Sequence, residues 1–512
     1  MGQSLSILQN SGDVRGVAME GIIGEEVTLT KERAKQIGQG FAAWLMQRKQ
    51  HREDYHLHVA IGMDGRLSGP MLADAVVESL TSVGCDVLHC GLSSTPAMLM
   101  STTSRGADAD GAIMLTGSHT TFNRNGMKFF VEGRDIDSDE MSEILRLAES
   151  NSLRKSSRGD VHIFNMMMLY AESLREKIKT SLAGQTEDDE KPLTGLKVVV
   201  DAGNGAGEFY VSRVLQPLGA DTTGSTFLYP DGRFPNHSPN PEDYEALKNA
   251  SAAVVEQGAD IGIVFDADVD RVAIIDKGGK AINRNEFVAM AAAIVQEEHP
   301  HTDIVTDSIT STGLSYFVEK VLGAHQCRYQ RGYRNVIGEA IKKNENGVPC
   351  WLAVETSGHA AFKENNFCDD GAYFATKVII RLAQLKKEGK TLTTLIEKLP
   401  VPIESCEYRL PITGYDFSRT AEETMRGLRQ YVAQIADWEE VNQNHEGLRV
   451  MCNGAEEQGW FLCRLSLHSP VLPFNIESDK VGGVNAIVSK LKLYFRGVRD
   501  VDSTLFYQKQ KK

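Results

Sequence analysis

Ile261-Gly262-Ile263-Val264-Phe265-Asp266-Ala267-Asp268-Val269-Asp270-Arg271 reads as a buried strand running straight into a loop of alternating carboxylates. Residues 261–265 are apolar or glycine throughout, the pattern of a strand covered on both faces. Three aspartates just past the carboxyl end of such a strand lie where open α/β sheets bind ligands. If all three converge, their repulsion raises at least one pKa unless a cation is present. Hard carboxylate oxygens of this kind suit Mg2+. An EF-hand counted from Asp266 needs glycine sixth and glutamate twelfth, and the chain has Arg271 and Lys277 there, so that reading fails. A plain solvated loop stays open as the alternative.

The same alternation of β-rich runs and helical stretches occurs three times. His58–Gly62 and Gly111–Thr116 read as strands of a first block, Leu196–Asp201 and Ile261–Asp266 of a second, and Ile304–Asp307 and Trp351–Val354 of a third. This is α/β architecture. The end of the chain differs: Ser405–Pro411 and Gly459–Leu467 read as strands of an α+β unit, with a helix at Ser418–Trp438. The expected division is 1–160, 161–281, 282–401 and 402–512: three consecutive α/β domains with mixed sheets, then a C-terminal α+β domain. Ala183–Leu193 (AGQTEDDEKPL) is acidic and poor in apolar residues, which predicts a surface insertion before the strand at Leu196.

The chain's 512 residues predict three to five domains at roughly 100–200 residues each. With 41% hydrophobic and 24% charged residues, it is not a disordered or low-complexity scaffold. The net charge of -14 comes with no dense basic run, so neither nucleic acid nor a membrane surface is an expected partner. The longest apolar run, Phe287–Val295, falls far short of the roughly 18 residues of a membrane span. Eight scattered cysteines without a Cys-x-x-Cys pair argue against a zinc ribbon or a disulfide framework, and for a reducing compartment. The N-terminus shows neither a secretory signal nor an Arg-rich transit peptide, so the expected location is cytoplasmic. A targeting segment upstream would change that to an organelle such as a plastid. Met1-Gly2 with Ser6 fits a minimal myristoylation pattern, a match frequent by chance.

Three more loops follow strands. Thr116-Gly117-Ser118-His119 places a serine beside a histidine, with Lys128 a short way on. A serine hydroxyl needs its proton removed and the developing charge stabilised before it acts as a nucleophile. Many Ser-His pairs merely cap turns, and a Ser-His-Asp hydrolase is disfavoured because Thr116 stands where the Gly-x-Ser-x-Gly elbow has its first glycine. Asp201–Gly207 (DAGNGAG) suggests a dinucleotide loop, but Glu208 occupies the third glycine position of Gly-x-Gly-x-x-Gly. Glu355-Thr356-Ser357-Gly358-His359 offers a carboxylate and hydroxyls suited to sugar hydroxyls, with an ordinary strand-end turn as the alternative.

Taken in order, these segments resemble the α-D-phosphohexomutase family of phosphoglucomutases, phosphomannomutases and phosphoglucosamine mutases. Asp13-Val14-Arg15-Gly16 looks like the family's N-terminal arginine motif, and Gly62–Pro70 (GMDGRLSGP) and Ser94-Thr95-Pro96 are similar to its next two. Thr116–His119 resembles the phosphoserine loop, Asp266–Arg271 the magnesium loop and Glu355–His359 the sugar-binding loop. The resemblance spans residues 13 to about 480. It implies four domains around a central cleft, Ser118 as the phosphorylated residue with His119 beside it, and Mg2+ held by Asp266, Asp268, Asp270 and a phosphoserine oxygen. It implies Arg15 and Lys128 in proton transfer and charge stabilisation, Arg271 beside the metal, and Glu355 and Ser357 on sugar hydroxyls. The implied reaction moves phosphate between C1 and C6 of glucose or mannose through a hexose 1,6-bisphosphate, in a monomer or homodimer whose partner is a phosphosugar.

The chain departs from the family in its last domain. The family's phosphate loop runs Arg-x-Ser-x-Thr-Glu-Pro with a further arginine three residues on. Here Arg464, Ser466 and Pro470 fit, His468-Ser469 replace Thr-Glu, and Pro473 replaces the arginine. A lost charge-assisted contact is worth ~1.5–3 kcal/mol. Thr120-Thr121 stand where the family usually has Asn-Pro. The segment Arg328–Arg334 (RYQRGYR) keeps Gly332 and is unusually rich in arginine, which suggests a replacement phosphate contact. Two alternatives to the mutase follow from a weakened phosphate site: a hexose-bisphosphate synthase, and a non-catalytic sugar-phosphate-binding protein.

Overall fold

A computed structural model describes residues 4–49, 56–150, 157–466 and 469–508. The chain forms two compact units, residues 1–283 with 357–395 and residues 284–356 with 396–512.

In the first unit, the buried run His58–Met63 lies parallel to both Asp86–Leu92 and Gly111–Leu115. Arg124–Val131 then pairs antiparallel with Gly111–Leu115 on one side and Asp13–Val17 on the other, which makes the sheet mixed. Helices Lys31–Arg48, Gly69–Ser82 and Ser138–Ser150 close one core through Phe41, Trp44, Leu72, Val76 and Ile144. A second sheet has the order Ala281–Ile282, Val272–Ile275, Ile261–Phe265, Val198–Asp201. Ile261–Phe265 runs parallel to Val198–Asp201 and antiparallel to Val272–Ile275, so the three aspartates sit in the turn of a hairpin. Helix Tyr244–Gln257 covers this sheet; Asp243 caps its first turn and Gly258, at φ 62°, ends it in the left-handed region. Of the expected surface insertion 183–193, residues 183–191 lie at the surface between helix Met166–Leu182 and strand Val198–Asp201, whereas Pro192 and Leu193 are buried.

In the second unit, Asp303–Asp307 lies parallel between His325–Tyr329 and Cys350–Val354. The apolar run 287–295 is the buried centre of helix Arg284–Glu298. No described helix is long and apolar enough to cross a membrane. The last sheet is antiparallel, in the order Glu404–Pro411, Val471–Ser478, Gly459–Cys463, Leu448–Cys452, Trp438–Glu440. Three consecutive α/β domains are thus followed by one with an antiparallel sheet.

Two expectations change here. The helix expected over Ser418–Trp438 is Phe417–Val432, and Trp438 opens a strand instead. Its indole is buried and donates to Glu457 at 2.8 Å. The strand expected over Gly459–Leu467 ends at Cys463. Leu467 and His468 lie outside the described residues, as do Met1 and Gly2.

Candidate active site

Asp266, Asp268 and Asp270 are all buried, and one oxygen of each lies within 4.8 Å of the others. The turn that gathers them is costly, because the β-branched Val269 sits at φ 65°. Arg271 closes it, donating from its backbone N and its Nε to the two oxygens of Asp266, each at 3.1 Å. Asp268 accepts from Thr95 Oγ1 at 2.6 Å and from Lys128 Nζ at 3.0 Å, and Lys128 also pairs with Asp270. Burial pushes Asp266 well above the carboxylate range, and the charges of Asp270 and Asp268 push it further. Burial acts the same way on Asp270, but Lys128, His359 and Arg271 outweigh it and hold this carboxyl below its usual range. Asp268 Oδ1 and Asp270 Oδ1 are buried without a hydrogen-bond partner among the described residues. Unpartnered carboxylate oxygens in a buried triad suit an oxygen-seeking divalent cation, so the donor set fits a metal ion.

The Asp201–Gly207 segment supports this turn rather than a nucleotide. A Cβ on Gly205 would lie 2.6 Å from Ala267 Cα, and Ala206 N donates to Ala267 O at 2.9 Å. Only glycine lets the two loops approach so closely.

Ser118 sits at φ 50°, another strained position, and is 5% exposed. Its Oγ lies 3.2 Å from His119 Nδ1 and donates to Asp266 Oδ2 at 3.5 Å. His119 is an exposed residue; desolvation, followed by the charges of Arg271 and Arg15, lowers its pKa below the ordinary histidine value. The loop owes its shape to Arg66, whose side chain is fully buried. This guanidinium donates to the carbonyls of Thr121 at 2.7 Å and of Arg124 and Thr120 at 2.9 Å, and to that of Ser118. Asp64 anchors it at 3.1 Å and accepts from Thr116 Oγ1 at 2.7 Å. Arg15 comes from the neighbouring strand, where it pairs with Asp13 at 3.0 Å.

The first unit therefore brings Arg15, Ser118, His119, Lys128, Asp266, Asp268, Asp270 and Arg271 together. Ser357, also of this unit, is buried two residues before His359. His359 forms an ion pair with Asp369. Burial opposes its charge, yet Asp369 raises its pKa above the ordinary histidine value. The sequence singled out neither Arg66, Asp64 nor the His359–Asp369 pair; for Arg66, the available signal was the Asp64–Arg66 charge pair inside the glycine-rich 62–70 motif.

In the second unit, Glu355 follows strand Cys350–Val354, and its Oε1 accepts from Gly332 N at 2.7 Å. Gly332 has φ 113°. Asp307 Oδ2 accepts from Thr356 Oγ1 at 2.6 Å. Burial, followed by the charge of Glu355, pushes Asp307 up to about 7. Arg464 is buried, and Ser466 Oγ lies 3.1 Å from Ser469 Oγ. Pro473 belongs to strand Val471–Ser478, and its carbonyl accepts from Arg464 N at 3.2 Å. It is therefore part of the ladder. Arg328 belongs to the scaffold, since it donates to Thr310 Oγ1 at 3.1 Å, to Ser311 O at 3.2 Å and to Ser315.

Sequence comparison gives this geometry its family. Residues 8–155, 169–279 and 283–402 match phosphoglucomutase/phosphomannomutase alpha/beta/alpha domains I, II and III in turn. The chain is 30% identical over 484 residues to a phosphomannomutase/phosphoglucomutase of Pseudomonas putida, covering 94% of each. It is 28% identical to a phosphoglucomutase of Neisseria gonorrhoeae, covering 93% of this chain and 94% of the relative. A crystal structure of a phosphoglucomutase/phosphomannomutase family protein from Burkholderia thailandensis superimposes with a TM-score of 0.77 at 27% identity, covering 97% of this chain and 98% of that one. The chain belongs to the phosphoglucomutase/phosphomannomutase family, that is, to the α-D-phosphohexomutases.

Proposed function

We propose that this protein is a Mg2+-dependent phosphohexomutase that moves phosphate between C1 and C6 of glucose or mannose, with Ser118 as the phosphoryl carrier. The observation that carries this reading is the position of Ser118 Oγ, held at a strained backbone 3.5 Å from a buried aspartate triad with unpartnered oxygens. Phosphoryl transfer depends chiefly on in-line positioning and on neutralising the equatorial oxygens, which this cluster suits. Asp266, Asp268 and Asp270 would hold the ion, together with an oxygen of the phosphoryl group on Ser118. When bound, the ion supplies Lewis-acid neutralisation of the phosphoryl oxygens.

In this reading, a sugar hydroxyl attacks the phosphorus on Ser118. The new C–O–P linkage forms as the P–Oγ bond breaks, and the hydroxyl proton ends on Oγ. The resulting hexose 1,6-bisphosphate turns around and returns its other phosphate to Ser118. His119, 3.2 Å from Oγ, orients it. Arg15 and Lys128 stabilise the charge and assist proton transfer, with Arg271 beside the ion. Glu355 and Ser357 take sugar hydroxyls, and Arg464 and Ser466 take the phosphate that is not reacting. Domain boundaries near 160, 281 and 401 belong to the same reading.

The test is incubation of the purified protein with Mg2+ and glucose 1,6-bisphosphate, then peptide mass spectrometry of the Ser118 region. Stoichiometric, metal-dependent phosphate on Ser118 is expected. A bare Ser118 with glucose, mannose and glucosamine bisphosphates alike would favour a sugar-phosphate-binding protein.

A further inference from the structure

Within the second unit, a half-buried arginine and a buried one, Arg331 and Arg464, belong to segments that pack against the same short stretch of chain. Arg331 immediately precedes the Gly332 cap of helix Tyr333–Glu345. Its backbone N donates to Glu446 Oε2 at 3.2 Å, and the Ser308 hydroxyl donates to the same oxygen. The rings of Tyr329 and His445 lie 5.0 Å apart and extend the same contact. Gly447, at φ 61°, packs so tightly that a Cβ there would lie 2.9 Å from Arg464 Cα. Segments 329–332 and 445–447 and the start of the 464 loop therefore form one continuous layer.

Arg464 is 5% exposed, and its Nε has no hydrogen-bond partner among the described residues. Burial depresses its pKa and the charge of Arg331 depresses it further, while Glu446 and Glu407 oppose both without overcoming them. Two like charges held close in a desolvated place are unfavourable unless an anion lies between them. The helix beginning at Tyr333 adds the partial positive charge of its N-terminus, and its glycine cap has no side chain to offer it. A dianionic phosphoryl group is the ligand that matches this charge and donor set.

We infer that Arg331 is a phosphate-binding residue, acting with Arg464 on the phosphoryl group of the hexose phosphate that does not react. The inference rests on the mutase reading above. It deepens that reading by tying two recognition tasks to one turn of backbone: Arg331 meets the phosphate, while Gly332 N holds Glu355 at 2.7 Å. The distance between phosphate and sugar hydroxyls is thereby fixed along two adjacent residues.

Calorimetric titration of the full chain with glucose 6-phosphate, mannose 6-phosphate and inorganic phosphate tests this, beside steady-state kinetics. Arg331→Ala is expected to weaken binding of the hexose phosphates roughly tenfold to a hundredfold. KM should rise while kcat stays within a few-fold, a split that a merely structural residue would not give. Arg331→Lys should recover part of the loss. The double variant with Arg464→Ala should lose less than the product of the single losses, since both side chains hold one group. Unchanged binding in Arg331→Ala, losses that multiply, or a native chain that binds none of the three probes would each overturn the inference. Failure of the mutase reading shows separately, as a bare Ser118 in the native chain, because the titrations need no turnover.

Discussion

The Ser118 loop and the Arg464 loop both leave the end of a buried strand, and they are built in opposite ways. Around Ser118 the backbone is held from within: Arg66 collects four carbonyls, Asp64 holds Arg66, and Lys128 bridges two aspartates, and the oxygens left over belong to the aspartate triad. In the Arg464 loop, a buried guanidinium keeps an Nε without a hydrogen-bond partner among the described residues, under the charge of a second arginine. The Ser118 loop is thus held by the chain itself, whereas in the reading proposed above the Arg464 loop is completed by the charge of a bound phosphate.

The largest effect that would break this contrast is at the nucleophile. Ser118→Ala should lower mutase turnover by about 10⁴-fold or more and leave no phosphate on the peptide. Retained turnover in a coupled assay would remove the chemistry from this loop. Next in size, Arg66→Ala strands four carbonyls and the buried Asp64, and should cost about 3–5 kcal/mol in denaturant unfolding. Stability within 1 kcal/mol of the parent, by the same measure, would mean the loop does not depend on its guanidinium.

A pH titration of stability sharpens the other side. Burial pushes Glu477, in the second unit, up to about 7 from 4.5. The native state therefore binds more protons than the unfolded chain across that window, so stability falls as pH rises from 4.5 to 7 and is level above. Glu477→Gln should remove its share of that fall, about 3 kcal/mol. An unaltered slope in thermal scans across that range would assign the shift elsewhere. The smallest effect is expected at Arg464→Met, which trades an incompletely satisfied buried charge for an apolar chain. Stability should change by less than about 1 kcal/mol or rise slightly, while hexose-phosphate affinity drops. A loss as large as that of Arg66→Ala would erase the contrast between the two loops.

What the sequence made legible was local. Asp266–Arg271 declares itself because strand and carboxylates are contiguous, and the strands at 58, 111, 261, 304 and 351 lie within a residue of their expected starts. Partnerships across long sequence separations were not legible. Arg66 meets its carbonyls 52–58 residues away, and Arg331 reaches Glu446 across 115. Those pairings depend on how strands are ordered in space, which residue spacing does not encode. The overlong helix has a different cause. Leu428, Val432, Ile435 and Trp438 continue a helical period, and all four face the same core. Periodicity could not show that the chain turns after Val432 and presents Trp438 to that core from a strand.

The wheel of carbonyls around Arg66 bears on how this loop can vary. Its contacts to residues 118, 120, 121 and 124 are all to main-chain oxygens, which every amino acid carries. That main-chain hold does not depend on the side chains at 120 and 121, although Thr120 Oγ1 adds a bond to Gly117 O at 2.7 Å and Thr121 Oγ1 one to Asn123 Oδ1 at 2.8 Å. Thr120-Thr121 can replace Asn-Pro at little cost to the backbone, and the loop has a margin for drift beside a serine that has none.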